Sequence, residues 1–255
     1  MTTGHTRGEG PTRGEGAFPV EFAELTQSLV NDYDPIELLD RVTAMCVDLL
    51  PVQAAGVLLA DQWGALGTIA SSSEQMRLLE LMQLQTDHGP CLECYRTGEP
   101  INTLDLTGPA ARRWPDFAAR AVAAGFRGIA AMPMRLRDDL IGALNLLSEQ
   151  PVPLSHYEQR VAQALADLAT IAVVHERTLR RPELPVEQRL AVLNQRVIIE
   201  QATGMVAQHG GYDLSEAYGV LRRRARETGR RLTDLATALV EGRITVSEAD
   251  RPATK

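Results

Sequence analysis

The chain has 255 residues and is poor in lysine, cysteine and aromatic side chains. Its only lysine is Lys255, so nearly all of its basic side chains are arginine. Its three cysteines are too few for a disulfide framework, which makes the reducing cytoplasm the expected location. No apolar run reaches the roughly 18 residues of a membrane span, and the N-terminus lacks the apolar core of a secretion signal. We therefore expect a cytoplasmic protein with no membrane partner.

The acidic and basic residues are unevenly distributed along the chain. The formal net charge is −7. From residue 185 to residue 245, nine arginines stand against seven acidic residues, a formal charge of +2, which leaves −9 for the rest. A length of 255 residues with 44% hydrophobic content allows two domains with ordinary cores. The basic charge is thus concentrated in the C-terminal part.

The N-terminal three quarters of the chain predict a tail and one mixed domain. Residues 1–18 repeat TRGEG, a composition that predicts a disordered tail. Helical patterns and two hairpins follow, with turns at Asp61–Gly64 and Arg137–Asp139. A long helix is predicted from Leu154 to about Leu179. This order predicts an α+β domain over residues 19–178, in which helices flank an antiparallel sheet.

Two apolar surfaces of this domain each allow two interpretations. The apolar stripe of the long helix is either a parallel dimer seam or a face that packs on the sheet. Its members are Leu154, Tyr157, Val161, Leu165, Leu168 and Ala172. One face of the sheet lines either a pocket for a small apolar or aromatic molecule or an ordinary core. Its members are Val57, Leu59, Ala131, Pro133 and Leu144.

After a proline-containing hinge at residues 179–186, the pattern is purely helical. Helices are predicted from Glu187, from Asp213 and from Thr233, the second with a capping box at its start. Glycines mark the ends of the last two. We predict an all-α three-helix bundle over residues 187–245, followed by a flexible tail at 246–255.

Six arginines lie within ten residues, from Arg222 to Arg231. They flank the apolar stripe of the second helix of the bundle. Guanidinium groups bind phosphates in a bidentate geometry, so this arginine cluster suits a nucleic acid. A solvated helix face accounts for the same charges without any ligand, and the charges alone favour that interpretation.

A second group of reactive side chains is His88-Gly-Pro-Cys91-Leu-Glu-Cys94. A CxxC pair forms a redox dithiol or half of a zinc site, and buried inert thiols are the third possibility. A closed zinc site usually needs four ligands, and no further Cys or His lies nearby in sequence. We therefore predict no metal site and retain Cys91 and Cys94 as candidates for redox sensing or ligand sensing.

The N-terminal domain resembles a known sensor family. The hairpin RGIAAMPMRLRDDLIGALNLLS, the loop HGPCLECYRTGEPI and the segment RWPDFAARAVAAGF are similar to the GAF domain of actinobacterial sensory regulators, over about residues 19–178. The resemblance implies a sensor that responds to a small molecule or to redox state. Asn145 matches part of the signature of nucleotide-binding GAF domains, but the lysine that follows it there is absent. The ligand or cofactor is therefore left open.

The C-terminal run from Gln195 to Gly242 resembles the ANTAR domain, the RNA-binding module of transcription antiterminators. The matched positions are Arg196, Ile199, Gln201, Ala202, Gly204, Ala217, Leu221, Arg222, Leu232 and Ala236. The resemblance implies binding of paired RNA hairpins in leader transcripts through loop bases and phosphates. Thr203 stands where many members carry lysine. The RNA-binding candidates are Arg196, Gln201, Thr203, Arg222, Arg223, Arg226 and Arg230.

The expected function is that of a sensory transcription regulator without enzymatic activity. Its bundle would bind nascent RNA hairpins and cause antitermination, under the control of a small-molecule or redox signal at the GAF domain. A homodimer is expected because two linked bundles would engage two hairpins together. One alternative is a thiol reductase that acts on a small oxidised metabolite through Cys91 and Cys94. The other is a DNA-binding regulator.

Overall fold

The computed structural model describes residues 33–61, 63–103, 105–179 and 191–250, together with positions 23 and 27. The predicted tail at 1–18, hinge residues 180–186 and the last five residues of the chain lie outside this part. Within it, no helix combines the length and hydropathy that crossing a lipid bilayer requires.

The N-terminal domain is built on one five-stranded antiparallel sheet with the strand order β2-β1-β5-β4-β3. In chain order its elements are α1 (Pro35–Leu49), β1 (Ala54–Ala60), β2 (Leu66–Ser71), α2 (Glu74–Thr86), α3 (Pro90–Thr97), β3 (Ile101–Thr103), a 3-10 turn (Pro109–Arg113), α4 (Pro115–Ala123), β4 (Gly128–Leu136), β5 (Asp139–Ser148) and α5 (His156–Leu179). The predicted α+β class, with an antiparallel sheet flanked by helices, is confirmed.

Helix α1 forms because its sequence supplies both a start and an apolar face. Asp34 caps it: the Oδ1 atom accepts hydrogen bonds from the backbone N–H groups of Ile36 at 2.9 Å and Glu37 at 3.3 Å. Pro35 occupies the first turn, where no N–H is needed. Its apolar face packs on the sheet and on α5, and four of its residues are fully buried: Ile36, Leu39, Val42 and Cys46.

The strand register divides the sheet residues between two cores. Val57 and Met132 both pair with Leu144, and this face packs under α1 and α5. Ala131 pairs with Asn145 and therefore points to the opposite face, under α2 and α4. The predicted ligand face was thus wrong: Ala131 and Pro133 do not share a face with Val57, Leu59 and Leu144. Alternation along one strand defines two faces, and only the register between strands shows which of them coincide.

The apolar stripe of α5 is mostly used inside the domain. Val161, Leu165, Leu168 and Ala172 are buried, and the helix packs on β4 and α1. The Tyr157 side chain is half exposed. The interpretation of this stripe as a packing face is therefore confirmed, and the homodimer stays a prediction.

The C-terminal domain is a helical bundle. Its elements are α6 (Ala191–Gly210), α7 (Leu214–Glu227), α8 (Leu232–Val240) and α9 (Val246–Asp250). The capping box predicted for α7 is present: the Glu216 N–H donates to Asp213 Oδ1 at 2.8 Å and the Asp213 N–H to Glu216 Oε2 at 3.1 Å. The flexible tail predicted from residue 246 was wrong for its first five residues, because Ala249 is buried in the bundle and holds α9 in place.

The bundle is docked on the N-terminal domain. Helix α6 contacts both α1 and β2, and one continuous apolar cluster includes Ile36 and Leu39 of α1 and Ile199 and Leu221 of the bundle. Helix α1 therefore packs on the sheet on one side and on the bundle on the other.

Candidate functional site

The arginine cluster lies on and after α7, outside the buried face of that helix. Ala217, Leu221 and Ala225 are fully buried. Arg223 and Arg230 are exposed, and neither forms an ion pair with any residue that the structure describes. Two guanidinium groups of the cluster therefore remain open to a ligand.

Two other members of the cluster are paired within the bundle. Arg224 Nη1 lies 3.7 Å from Glu227 Oε2, and Arg231 Nη2 lies 2.7 Å from Asp234 Oδ2. Each pair is three residues apart on or near one helix, where opposite charges commonly meet. Neither arginine is among the RNA-binding candidates.

The remaining two arginines of the cluster, Arg222 and Arg226, bind a carboxylate of the N-terminal domain. Arg226 donates from Nε at 2.8 Å and from Nη2 at 2.6 Å to the Oε1 atom of Glu37. Arg222 Nε lies 3.3 Å from the same oxygen. The Glu37 side chain is only 22% exposed, so these pairs are shielded better than ordinary surface ion pairs.

The α6 candidates differ in their accessibility. Gln201 is exposed. Arg196 is mostly covered: its Nε atom lies 3.2 Å from Glu200 Oε1 and its guanidinium carbon lies 5.8 Å from the centre of the Tyr218 ring. Thr203 is buried, and its hydroxyl donates to the backbone oxygen of Ile199 at 2.7 Å. The structure therefore does not bring Thr203 to the surface with the other candidates.

Three acidic residues along α1 and at its N-cap contact the bundle, and sequence reasoning missed this role for all three. We call Asp34, Glu37 and Asp40 the acidic face; their three-residue spacing places them along one side of the helix. Asp40 accepts a hydrogen bond from the Tyr218 hydroxyl. Burial raises the pKa of Asp40, and burial together with the nearby Asp40 carboxylate raises the pKa of Tyr218.

Asp34 connects the two domains through a second cap. Its Oδ2 atom accepts from the Thr233 backbone N–H at 2.7 Å and from the Thr233 hydroxyl. Thr233 lies in the first turn of α8, whose own cap residue provides no side-chain hydrogen bond. One carboxylate therefore caps α1 with one oxygen and α8 with the other.

The two candidate sensing thiols are both buried and free. Burial raises the pKa of Cys94 to about 12, and burial and the nearby Glu80 raise that of Cys91. His88 is exposed, so the H-x2-C-x2-C residues do not converge. In the described part of the chain, no three His, Cys, Asp or Glu side chains are grouped to hold a metal ion. A thiol with a raised pKa is a poor nucleophile at neutral pH because the thiolate is the reactive form.

Next to Cys91 lies a buried polar cluster that the sequence analysis did not single out. Glu80 of α2 is fully buried, accepts hydrogen bonds from Ser71 Oγ at 2.8 Å and Asn145 Nδ2 at 3.2 Å, and lies against Gly56 of β1. Gln83 donates to Cys91 Sγ at 3.0 Å. Burial raises the pKa of Glu80 to about 8, so the carboxyl is largely protonated at neutral pH. Glu80 follows Met76 by four residues, and this position on the apolar face could have revealed it.

Comparisons with known families match both domains. The GAF domain family matches residues 34–173, which is more than half of the chain. The protein therefore belongs to the GAF domain family. The ANTAR domain family, whose members bind RNA, matches residues 187–240. The chain thus carries a GAF sensor domain followed by an ANTAR domain, as GAF and ANTAR domain-containing regulators do.

The solved structures that this chain is similar to include two GAF domains and one reductase. The GAF domain of a phosphoenolpyruvate-protein phosphotransferase from Acinetobacter is 14% identical, with a TM-score of 0.49, and the match covers 64% of this chain and 96% of that chain. The corresponding domain from Coxiella burnetii is 18% identical, with a TM-score of 0.49 and coverages of 63% and 95%. The free methionine-R-sulfoxide reductase from Neisseria meningitidis is 13% identical, with a TM-score of 0.48 and coverages of 64% and 92%. A comparison with curated proteins gave no match.

Proposed function

We propose that this protein is a cytoplasmic antitermination regulator in which the ANTAR bundle binds hairpins of nascent RNA and the GAF domain responds to a signal. The observation that carries the proposal is the arginine cluster along α7 of an ANTAR domain, where Arg223 and Arg230 are exposed. Arginine suits RNA because its planar fork binds phosphate oxygens and stacks on bases. Gln201 and Arg196 on α6 would extend this surface, together with Arg222 and Arg226.

The signal at the GAF domain is a small molecule in this proposal rather than an oxidant. Cys91 and Cys94 are buried with raised pKa values, which supports inert thiols over redox sensing. The same observation argues against the thiol reductase alternative, because that chemistry needs an accessible thiolate. A homodimer would hold two bundles close enough to engage two hairpins of one transcript.

The test is salt-dependent binding of the full-length protein to a two-hairpin leader RNA, compared with duplex DNA of matched charge. The variant Arg223→Ala/Arg230→Ala removes two exposed guanidinium groups without touching the pairs to Glu37. If each arginine neutralises one phosphate, the slope of log K against log salt becomes shallower by about 2.

The matched control is Arg112→Ala/Arg243→Ala. It removes the same charge at two exposed positions, one in each domain, that are not RNA-binding candidates. We expect it to bind RNA nearly as the wild type does. Equal binding to RNA and DNA, both with and without reductant, or an equal loss in both double variants, would refute the proposed function.

A further inference from the structure

We propose that the acidic face of α1 and the phosphates of RNA compete for the same side of the ANTAR bundle. The arrangement described above is then a closed form, in which the GAF domain covers part of the RNA-binding surface. This inference rests on the proposed function and specifies how that surface is regulated.

The contacts run along one side of each helix. Tyr218, Arg222 and Arg226 are spaced by four residues on α7, and they meet the acidic face, which is spaced by three residues on α1. Asp40 contacts Tyr218, and Glu37 contacts both Arg222 and Arg226. Asp34 contacts Thr233, which follows α7 in the chain. The two rows are therefore antiparallel and in register, over about two turns of each helix.

The Glu37 carboxylate occupies the position that a phosphate oxygen would need. Its Oε1 atom accepts from both Nε and Nη2 of Arg226 and from Nε of Arg222. These are the N–H groups with which arginine binds phosphate. A phosphate cannot bind these N–H groups while the carboxylate remains, so RNA can use the full set of donors on Arg222 and Arg226 only after α1 and α7 separate.

The closed form leaves a partial RNA-binding surface. Arg223 and Arg230 stay exposed and can make a first contact with RNA. The full surface then becomes available only in the fraction of molecules that are open, and the apparent dissociation constant is the intrinsic one divided by that fraction. A signal that loosens α1 would raise the affinity without changing any residue that touches RNA.

The Thr233 amide reports the docking directly. N–H groups in the first turn of a helix have no acceptor within that helix. The Thr233 N–H is therefore protected from hydrogen exchange by its bond to Asp34 of the other domain. Its hydrogen exchange should therefore accelerate whenever the domains separate.

The experiment compares full-length wild type, Glu37→Gln and Glu74→Gln. Glu74→Gln is the matched control, since it removes one carboxylate from an exposed ion pair with Arg77 in the same domain. We expect Glu37→Gln to bind the two-hairpin RNA about fivefold more tightly than the wild type, which corresponds to about 1 kcal/mol. Glu74→Gln should stay within about twofold. Without RNA, the Thr233 amide should exchange faster in Glu37→Gln alone.

The possible results distinguish failure of the competition from failure of the proposed RNA-binding function. If all three proteins bind RNA equally, or if Glu37→Gln binds more weakly, the competition is refuted while the RNA-binding function stands. Unchanged Thr233 exchange in Glu37→Gln also refutes it, because Glu37 would then not hold the domains together. If none of the proteins prefers RNA, the proposed function fails and this inference fails with it.

Discussion

The double cap formed by Asp34 gives the sharpest stability prediction. Replacing Asp34 with alanine removes the oxygen that caps α1 at Ile36 and Glu37 and the oxygen that caps α8 at Thr233. Loss of one side-chain cap costs about 1 kcal/mol, so two caps give about 2 kcal/mol. Thr233 is buried and would keep an unpaired N–H, which adds about 1 kcal/mol. We expect Asp34→Ala to lower the free energy of unfolding by about 3 kcal/mol.

The assay is urea unfolding of the full chain, followed by circular dichroism. Asp213→Ala is the matched control: it removes one aspartate that caps a single helix, α7, so about 1 kcal/mol should be lost. A double-mutant cycle of Asp34→Ala with Thr233→Val isolates the bond from the Thr233 hydroxyl and should give a coupling energy of about 1 kcal/mol. The backbone N–H bond remains in Thr233→Val, so the double-cap argument is tested by the single variants: a loss for Asp34→Ala no larger than that for Asp213→Ala would contradict it.

Three further predictions concern Glu80 and Gly142 of the GAF domain and Gly219 of the bundle. Because burial raises the pKa of Glu80 from 4.5 to about 8, the folded protein keeps a proton that the unfolded chain releases between these values. Wild-type stability should therefore fall with rising pH, relative to Glu80→Gln, most steeply between pH 5.5 and pH 7, where the slope approaches about 1.4 kcal/mol per pH unit in urea unfolding. Gly142→Ala should destabilise the protein by about 3 kcal/mol in the same assay, because its Cβ would lie 2.1 Å from the Leu58 carbonyl oxygen. Gly219→Ala, in open space on α7, should stabilise it by about 0.5–1 kcal/mol.

These predictions can each fail in a distinct way. Parallel pH profiles for wild type and Glu80→Gln would show that the carboxyl is charged when folded. Similar effects of the two alanine substitutions would mean that the close approach at Gly142 is relieved by a small movement of the strands.

Most helices and both hairpins were predictable from the sequence, because apolar spacing, capping residues and turn residues act over a few neighbouring positions. The spacing of apolar residues predicted the long helix α5 and, with the capping box at Asp213, the three longer helices of the bundle within a few residues, and the turns at Asp61 and Arg137 predicted both hairpins. The short α9 helix was missed since its five residues carry too weak a pattern. Its stability comes from burial of Ala249, which is a tertiary effect.

The domain interface was not predictable from local patterns. Asp34, Glu37 and Asp40 look like the solvated side of an amphipathic helix, and their partners lie at least 178 residues further along the chain. Glu80 was missed for a related reason. A carboxylate in a helix is normally exposed, and only the fold shows that Gly56 leaves room for it beneath the sheet.

The position of α1 between the sheet and the bundle has a thermodynamic consequence. Under the proposed competition, a ligand of the GAF domain that favours separation of α1 from α7 binds more tightly when RNA is already bound, by the same factor by which the ligand raises the affinity for RNA. The transcript would then act as a co-effector of the sensor. In a cell, the sensitivity to the signal would depend on how much target RNA is being made.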